Sequence, residues 1–352
     1  MRLKLYQIMS KIKFYFIFLI ATVISISSCN KDDNNSAEAT PPKPYAEQYP
    51  KDIALIESYL KTNYITVVNA PGEIKDQDVL IAKLDANHTI SIWDQKDYTL
   101  LNRKVELHGI TYILYYLVLR QGGGDKPCNV DDVFTSYSGK YLTETTTDNV
   151  AAITSTSFEE VIYPQTFTNL YGVIRGWKEI FPQFKSGDAV SNPDGTVKYT
   201  NFGAGVMFIP SGLAYYNTGR GPIPGYAPLV FSFKLYKIKR SDMEVNSING
   251  VALPDPDGVL SYQEDINGDG YIWTDSELQI GFTENPDDSD KDGVPDFLDF
   301  DDDGDNYATR GEVKDKDGKV YPFDLIPDCS GNQTNPNRKK RHLDKECHYM
   351  NQ

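Results

Sequence analysis

The chain has 352 residues, a formal net charge of −15 and four cysteines. Such acidity excludes a nucleic-acid partner, because phosphate recognition needs a basic face. Four scattered histidines and the lack of any Cys-x-x-Cys pair point to neither a zinc nor a redox centre.

Arg2, Lys4, Lys11 and Lys13 form a basic start, and Phe14 to Ile26 is an apolar stretch ending in Ile26-Ser27-Ser28-Cys29. A permanent membrane helix needs about 20 apolar residues. This stretch is shorter and suits a secretory signal over residues 1–28. Ile-Ser-Ser-Cys resembles a bacterial lipobox, which implies acylation of Cys29 (diacylglycerol and a palmitate-type chain) and an anchor in the membrane. The alternative is a cleaved signal with Cys29 incidental. Lys31-Asp32-Asp33 is similar to the export signal of Bacteroidetes lipoproteins, which implies a lipid anchor in the bacterial outer membrane, surface-exposed or periplasm-facing. Residues 29–49, rich in Asn, Asp, Ala and Pro, read as a lipidated tether. Among the other cysteines, an oxidising compartment permits a Cys329–Cys347 bridge closing a tail over 326–352, and leaves Cys128 unpaired. The basic run Arg338-Lys339-Lys340-Arg341 reads as a solvated face.

Residues 50–110 form an extension. Ile53, Leu55, Ile56, Tyr59 and Leu60 recur at helical spacing, which predicts an amphipathic helix over Pro50 to Lys61. The β-type segments ITVV, TISIW and ITYILYYLVLR predict strands, the last ended by Gly122-Gly123-Gly124. Val133 to Leu142 reads as a strand breaking at Gly139, and the polar Thr143 to Ser157 as a loop or bulge. Trp177 to Phe184 reads as a short helix; Gly205 to Ile209 and Leu229 to Ile238 read as strands. This order predicts the α+β class, with an antiparallel sheet curled over a short helix.

Val173-Ile174-Arg175-Gly176-Trp177, then Phe184-Lys185-Ser186-Gly187, Ile209-Pro210-Ser211, Leu213-Ala214-Tyr215, Pro222-Ile223-Pro224 and Leu229 to Leu235 together resemble the FKBP-type peptidyl-prolyl isomerase domain. The resemblance covers about Thr111 to Lys239, a domain over 111–240. The surrounding tether and acidic tail are similar to lipoprotein members of that family from Bacteroidetes, some of them gliding-motility-associated. The resemblance implies a proline site floored by Trp177 with Val173 and Ile174 beside it, the Ile174 amide binding a substrate carbonyl. It implies walls from Tyr137, Phe158, Phe167 and Phe231, a peptide-binding hydroxyl on Tyr215, an overhanging Ile223 and an acid at Glu159. No cofactor is implied, and proline-containing polypeptides of the cell envelope are the implied substrates. Any one of these aromatics is otherwise simply core, and core is the first reading for Phe134, Phe181 and Phe233. Three departures stand out: Glu159 replaces an Asp, Tyr216 replaces the glycine after the pocket tyrosine, and extra residues around Asn192 to Asn201 follow Gly187. The resemblance therefore leaves two functions open. One is an isomerase, with activity weakened by the insertions. The other is a peptide-binding or scaffold module in which Tyr216 or the inserted strands fill the cleft.

Residues 241–325 carry acidic repeats. Between 253 and 312 nineteen Asp and Glu stand against Lys291 and Arg310 alone. Ca²⁺ takes about six to eight oxygens, which a loop supplies from its first, third, fifth, seventh (a carbonyl), ninth and twelfth positions around a turn at the sixth. One such loop holds Asp301, Asp303, Asp305, Tyr307, Thr309 and Glu312, with Asn306 at the turn. Another holds Asp288, Asp290, Asp292, Val294 and Asp299, with Gly293 at the turn. A third holds Asp265, Asn267, Asp269 and Tyr271, and needs Asp275 or Glu277 to close it because its twelfth residue is Ser276. The fourth holds Asp255, Asp257, Val259 and Glu264, but begins on the non-ligand Leu253. The bland alternative is a solvated acidic tail, which gives no reason for Gly or Asn at each turn. The pattern resembles thrombospondin type 3 and EF-hand-like calcium repeats, and implies structural Ca²⁺.

Overall fold

The computed structural model describes residues 41–147, 150–248, 250–278 and 281–348. The signal peptide, Cys29 and most of the tether lie outside them. Every element below belongs to the unit spanning Lys43–Gln352.

Helix α1 runs Tyr45–Thr62, five residues longer at its start than the sequence predicts. Pro50 sits inside it rather than opening it. The added turn is held by side chains: Tyr45 stacks on His108 at 3.6 Å and on Tyr216 at 4.1 Å, and the Tyr49 hydroxyl accepts the Ile113 N–H. The inner face of α1 is Gln48, Asp52, Ile56, Tyr59 and Leu60, at steps of four and three.

Strands β1 (Asn63–Val67) and β2 (Val79–Lys83) pair with each other. TISIW is not a strand. Its Ile90 is exposed, while Ser91, which bonds Asp94 in a turn, and Ile92 are buried. The extended role falls to β2 because the β1 edge already pairs there.

The main sheet is antiparallel. It comprises β3 (Thr99–Leu107), β4 (Ile110–Arg120), β5 (Asp132–Thr147), β6 (Val150–Val161), the two-residue β7 (Thr168–Asn169), β10 (Gly203–Ile209) and β11 (Leu229–Lys239). The spatial order is β3-β4-β10-β11-β5-β6, with β7 on β5. His108 and Gly109, both at positive φ, make the two-residue turn between β3 and β4. The polar stretch after Leu142 is no loop, because it extends β5 and returns as β6. Gly139 does not end the strand either; it marks a register shift against β6.

Helix α2 (Arg175–Ile180), continued by a 3-10 turn over Phe181–Gln183, lies on one face of this sheet. A helix this short has no stability of its own, so packing holds it. Trp177, Ile180, Phe181 and Phe184 meet Met207, Ile209, Phe231, Phe233 and Leu235. The alternate residues Val206, Phe208 and Val230 point the other way, to Ile56, Tyr59 and Leu60 of α1. That is why every residue of β10 is buried. The expected antiparallel sheet curled over a short helix is found, with α1 covering its second face.

The residues after Gly187 form a separate hairpin, β8 (Asp188–Ser191) and β9 (Val197–Thr200). Another hairpin, β12 (Val245–Ile248) and β13 (Val251–Pro254), leads into the acidic region. Beyond it the chain is loops, 3-10 turns and the four-residue helix α3 (Thr309–Glu312). Cys329 and Cys347 are bridged and Cys128 is a free thiol. No helix among the described residues is long and apolar enough to cross a membrane.

Candidate functional site

The aromatic site is built around α2. Gly176 lets the helix approach β10, because a Cβ there would lie 2.6 Å from the Ile209 side chain. The next residue, Trp177, is 5% exposed. Tyr137 and Phe231 present their edges to its ring at 5.0 and 5.3 Å, and Phe181 lies at 5.1 Å. Phe158 meets Phe231 edge-on at 5.6 Å across Gly139, where a Cβ would fall 2.5 Å from Phe158. Val173, Ile174 and Tyr215 are half-buried against this group. Ile223 is buried in the turn it closes with Arg220, whose guanidinium stands 5.4 Å over the Tyr215 ring.

Burial, then a hydrogen bond with Glu159 and that carboxylate's charge, push the Tyr137 hydroxyl up to about 12. Glu159 is itself exposed and pairs with Gly139 on the neighbouring strand. The indole N–H of Trp177 is buried without a partner. Phe167 is not brought to this site. It is exposed and packs on Phe134 at 5.2 Å, in the cluster of Tyr199 and Tyr236. The reason is that β7 turns it to the side of β5 that Phe134 occupies.

Neither Tyr216 nor the hairpin after Gly187 fills the site. Tyr216, at φ 44°, packs its ring on Tyr45 and Tyr226, and its hydroxyl donates to the Lys43 carbonyl. The β8–β9 hairpin places Tyr199 on Tyr236 at 4.8 Å, away from Trp177. A cleft of about 650 Å³ lies between the β2 region and the sheet, beside Val206 and Val230.

The acidic loops form a second candidate site. Asp301 accepts the amides of Asp305 and Asn306, Asp303 accepts that of Asp305, and Asp305 accepts that of Tyr307. Asn306 holds φ 75°, as the turn position requires. The three Asp offer oxygens within 4.8 Å of one another. Glu312 is 1% exposed with both carboxylate oxygens unpaired; burial, then Asp303 and Asp305, push it up to about 9. Thr309 spends its hydroxyl as acceptor for the Asp302 amide.

The preceding loop repeats this arrangement. Asp288 accepts the amides of Lys291 and Gly293, Asp290 that of Asp292, and Asp292 that of Val294. Burial, then the charges of Asp292 and Asp290, push Asp299 up to about 6. Val294 can offer only its carbonyl.

In the third loop Asp265 accepts the amides of Asp269 and Gly270, Asn267 that of Asp269, and Asp269 that of Tyr271. Glu277 does not close it. That carboxylate is 2.5 Å from Lys178 Nζ and 3.2 Å from Arg175, both on α2. Asp275 lies against Asn285 at 3.3 Å. In the fourth loop Asp255 pairs with Arg310 and bonds Asn246, while Asp257 and Glu264 turn inward.

Sequence reasoning missed Asp287, Asp296 and Asp302, all buried. Asp287 accepts the amides of Ile266 and Trp273, and Asp296 accepts both the amide and hydroxyl of Ser289. The only signal was their place between the ligand positions, where a solvated residue is expected.

The two sites adjoin through α2. The Arg175 guanidinium stands 4.8 Å over Tyr271, Asn129 bonds the Ile272 backbone in both directions, and Val130, Ile272 and Phe297 share a small core.

A family model described as BamM C-terminal matches residues 254–336, which takes in the acidic loops and part of the tail. No curated protein matches. Among solved structures, the chain is similar to a peptidyl-prolyl cis-trans isomerase from Pseudomonas syringae pv. tomato, at 17% identity and TM-score 0.31, over 57% of this chain and 99% of that one. It is also similar to FkpA from Escherichia coli, at 28% identity and TM-score 0.26, over 36% of this chain and 48% of that one.

Proposed function

We propose that the chain is a peptidyl-prolyl cis-trans isomerase acting on X–Pro bonds of exported or cell-envelope polypeptides. In this reading it is anchored to the outer membrane through acylated Cys29 and stabilised by Ca²⁺ in its acidic loops. The observation that carries the enzymatic part is the buried Trp177 ring edged by Tyr137 and Phe231, inside a half-buried rim of Phe158, Val173, Ile174 and Tyr215.

An X–Pro bond isomerises through a twisted state that has lost amide resonance, over a barrier of about 20 kcal/mol. No nucleophile is needed. A cleft that binds the twisted form better than either planar form lowers that barrier. The pyrrolidine would sit on the indole. The Ile174 amide, at the N-terminal end of α2 where backbone donors lack intrahelical partners, is the donor we assign to the substrate carbonyl. Tyr215 holds the peptide by its hydroxyl. An apolar wall around the carbonyl disfavours the charge-separated planar form.

The calcium part is supported by the oxygen-only donor sets of the Asp288 and Asp301 loops, and by Glu312 with both oxygens buried and unpaired. These residues fit a hard cation. Bound Ca²⁺ would neutralise carboxylates that otherwise repel one another.

The near-complete burial of Trp177 favours the second reading, a peptide-binding scaffold with little turnover. Proline isomerisation kinetics on short X–Pro peptides separate the two, using the soluble chain from Asn30 with and without Ca²⁺. Acceleration over the uncatalysed rate supports the enzyme; peptide binding without acceleration leaves the scaffold.

A further inference from the structure

We propose that Asp257, Glu264 and Asp302 jointly hold a divalent cation of the calcium class inside the acidic region, at a composite site drawn from two separate loops. The proposal rests on the calcium reading of the loops for its choice of ion. It adds a site that their spacing does not describe.

The three carboxylates offer oxygens within 4.8 Å of one another. They are 2%, 2% and 1% exposed. Both oxygens of Glu264, both of Asp302 and one of Asp257 have no protein partner; the other oxygen of Asp257 accepts the Val259 amide at 2.6 Å. Leaving charges buried and unpaired costs several kcal/mol each, and three together repel as well. Either the carboxyls hold protons, or a cation sits among them. An all-oxygen donor set with neither His nor Cys selects a hard ion.

The geometry also explains a defect in the fourth loop. That loop begins on Leu253, which offers no ligand, and its Asp255 is drawn off to Arg310 and Asn246. Asp302 supplies the missing carboxylate from the far end of the region, fixed there by the hydrogen bond from its amide to the Thr309 hydroxyl at 3.0 Å. Ser261, between Asp257 and Glu264 in sequence and fully buried, also keeps a hydroxyl with no partner. Glu244, with one unpaired buried oxygen, adjoins the group through Asp257. The bound ion would tie residues 257–264 to residue 302.

The test uses the full soluble chain, stripped with chelator and titrated with Ca²⁺ by calorimetry, with bound metal counted by elemental analysis. The double variant Glu264→Gln with Asp302→Asn keeps shape and removes charge. It should bind one equivalent fewer than the parent and melt lower in saturating Ca²⁺. An unchanged equivalent count, with a melting point at or above the parent's, would show protonated acids and overturn the proposal. Should the variant fail to fold, terbium-grown crystals of the parent decide by anomalous scattering. A peak among the three carboxylates supports the site. Peaks at the Asp288 and Asp301 loops alone overturn this site only, and no peak anywhere overturns the loop reading with it.

Discussion

Glu277 Oε1 lies 2.5 Å from Lys178 Nζ, so the acidic region grips the helix that carries Trp177. Lys178 is buried, at 4% side-chain exposure, Glu277 is half-buried at 15%, and Arg175 shares the same oxygen at 3.2 Å. Removing one member of a buried pair leaves the other uncompensated, at a cost of about 3 kcal/mol or more. Glu277→Ala should therefore destabilise the chain by about that amount. Changing both residues, Lys178→Met with Glu277→Leu, should cost clearly less. Chemical denaturation of the two variants checks this, and equal losses would mean that the pair is not coupled.

The indole of Trp177 is core as well as floor, since it packs on Phe181 beneath the sheet. Trp177→Ala should cost about 3–5 kcal/mol of stability, so it cannot isolate catalysis. Tyr215→Phe can. It removes one hydroxyl from a half-buried ring, and the loss of a hydrogen bond worth about 1 kcal/mol predicts kcat/KM on X–Pro peptides down several-fold with Tm nearly unchanged. Unaltered kcat/KM would remove Tyr215 from the assigned role.

Asp301→Ala with Asp303→Ala should lose one Ca²⁺ and raise the calcium midpoint of the acidic region. Trp273 offers the readout, because its indole N–H bonds Asp269 at 2.9 Å and its ring is buried. Chelator should shift its emission to the red as the loops loosen. A spectrum indifferent to chelator and Ca²⁺ alike would count against metal-dependent order here.

His342 is 1% exposed, with an unpaired Nδ1, and burial followed by the charges of Lys340 and Arg341 lowers it from its ordinary 6.5 to about 3. A histidine with a lowered folded value must charge in the unfolded state first. Its contribution is fully present above pH 6.5 and is lost as pH falls from there toward 3. The melting point of the parent should drop more between pH 7 and pH 5 than that of His342→Gln. Parallel pH profiles would refute the assignment.

Cys29→Ser should leave the chain unacylated and release it from membranes, because several acyl chains hold where one does not. Fractionation of cells expressing each form checks this, and equal membrane retention would dispose of the lipid anchor.

Much of the central sheet was legible because its strands carry strong β-type runs, and Gly176-Trp177 marked the helix. What escaped depended on the third dimension. TISIW has the composition of a strand, yet Ile92 is buried under a turn while Ile90 faces solvent. Thr143 to Ser157 has the polarity of a loop because most side chains along this part of the β5–β6 hairpin are polar. Phe167 matches a wall residue by order along the chain, but two residues of β7 set its direction. In the acidic region, the ligand positions are readable from spacing within each loop. Asp302, by contrast, sits at a second position that the spacing rule assigns to solvent. Its burial arises from one loop stacking on another, which no single repeat encodes.

The hydrogen bonds of Lys43 to Tyr216 and Tyr226 fix where the tether joins the body, one residue from Tyr215. Thirteen residues lie between Cys29 and Lys43, a span of roughly 50 Å at full stretch. With Cys29 acylated, the rim of the aromatic site is leashed from its own edge rather than from the far side of the molecule. Under the proposed acylation its working volume would be a thin shell over the lipid surface, where the proposed polypeptide substrates would be met at high local concentration.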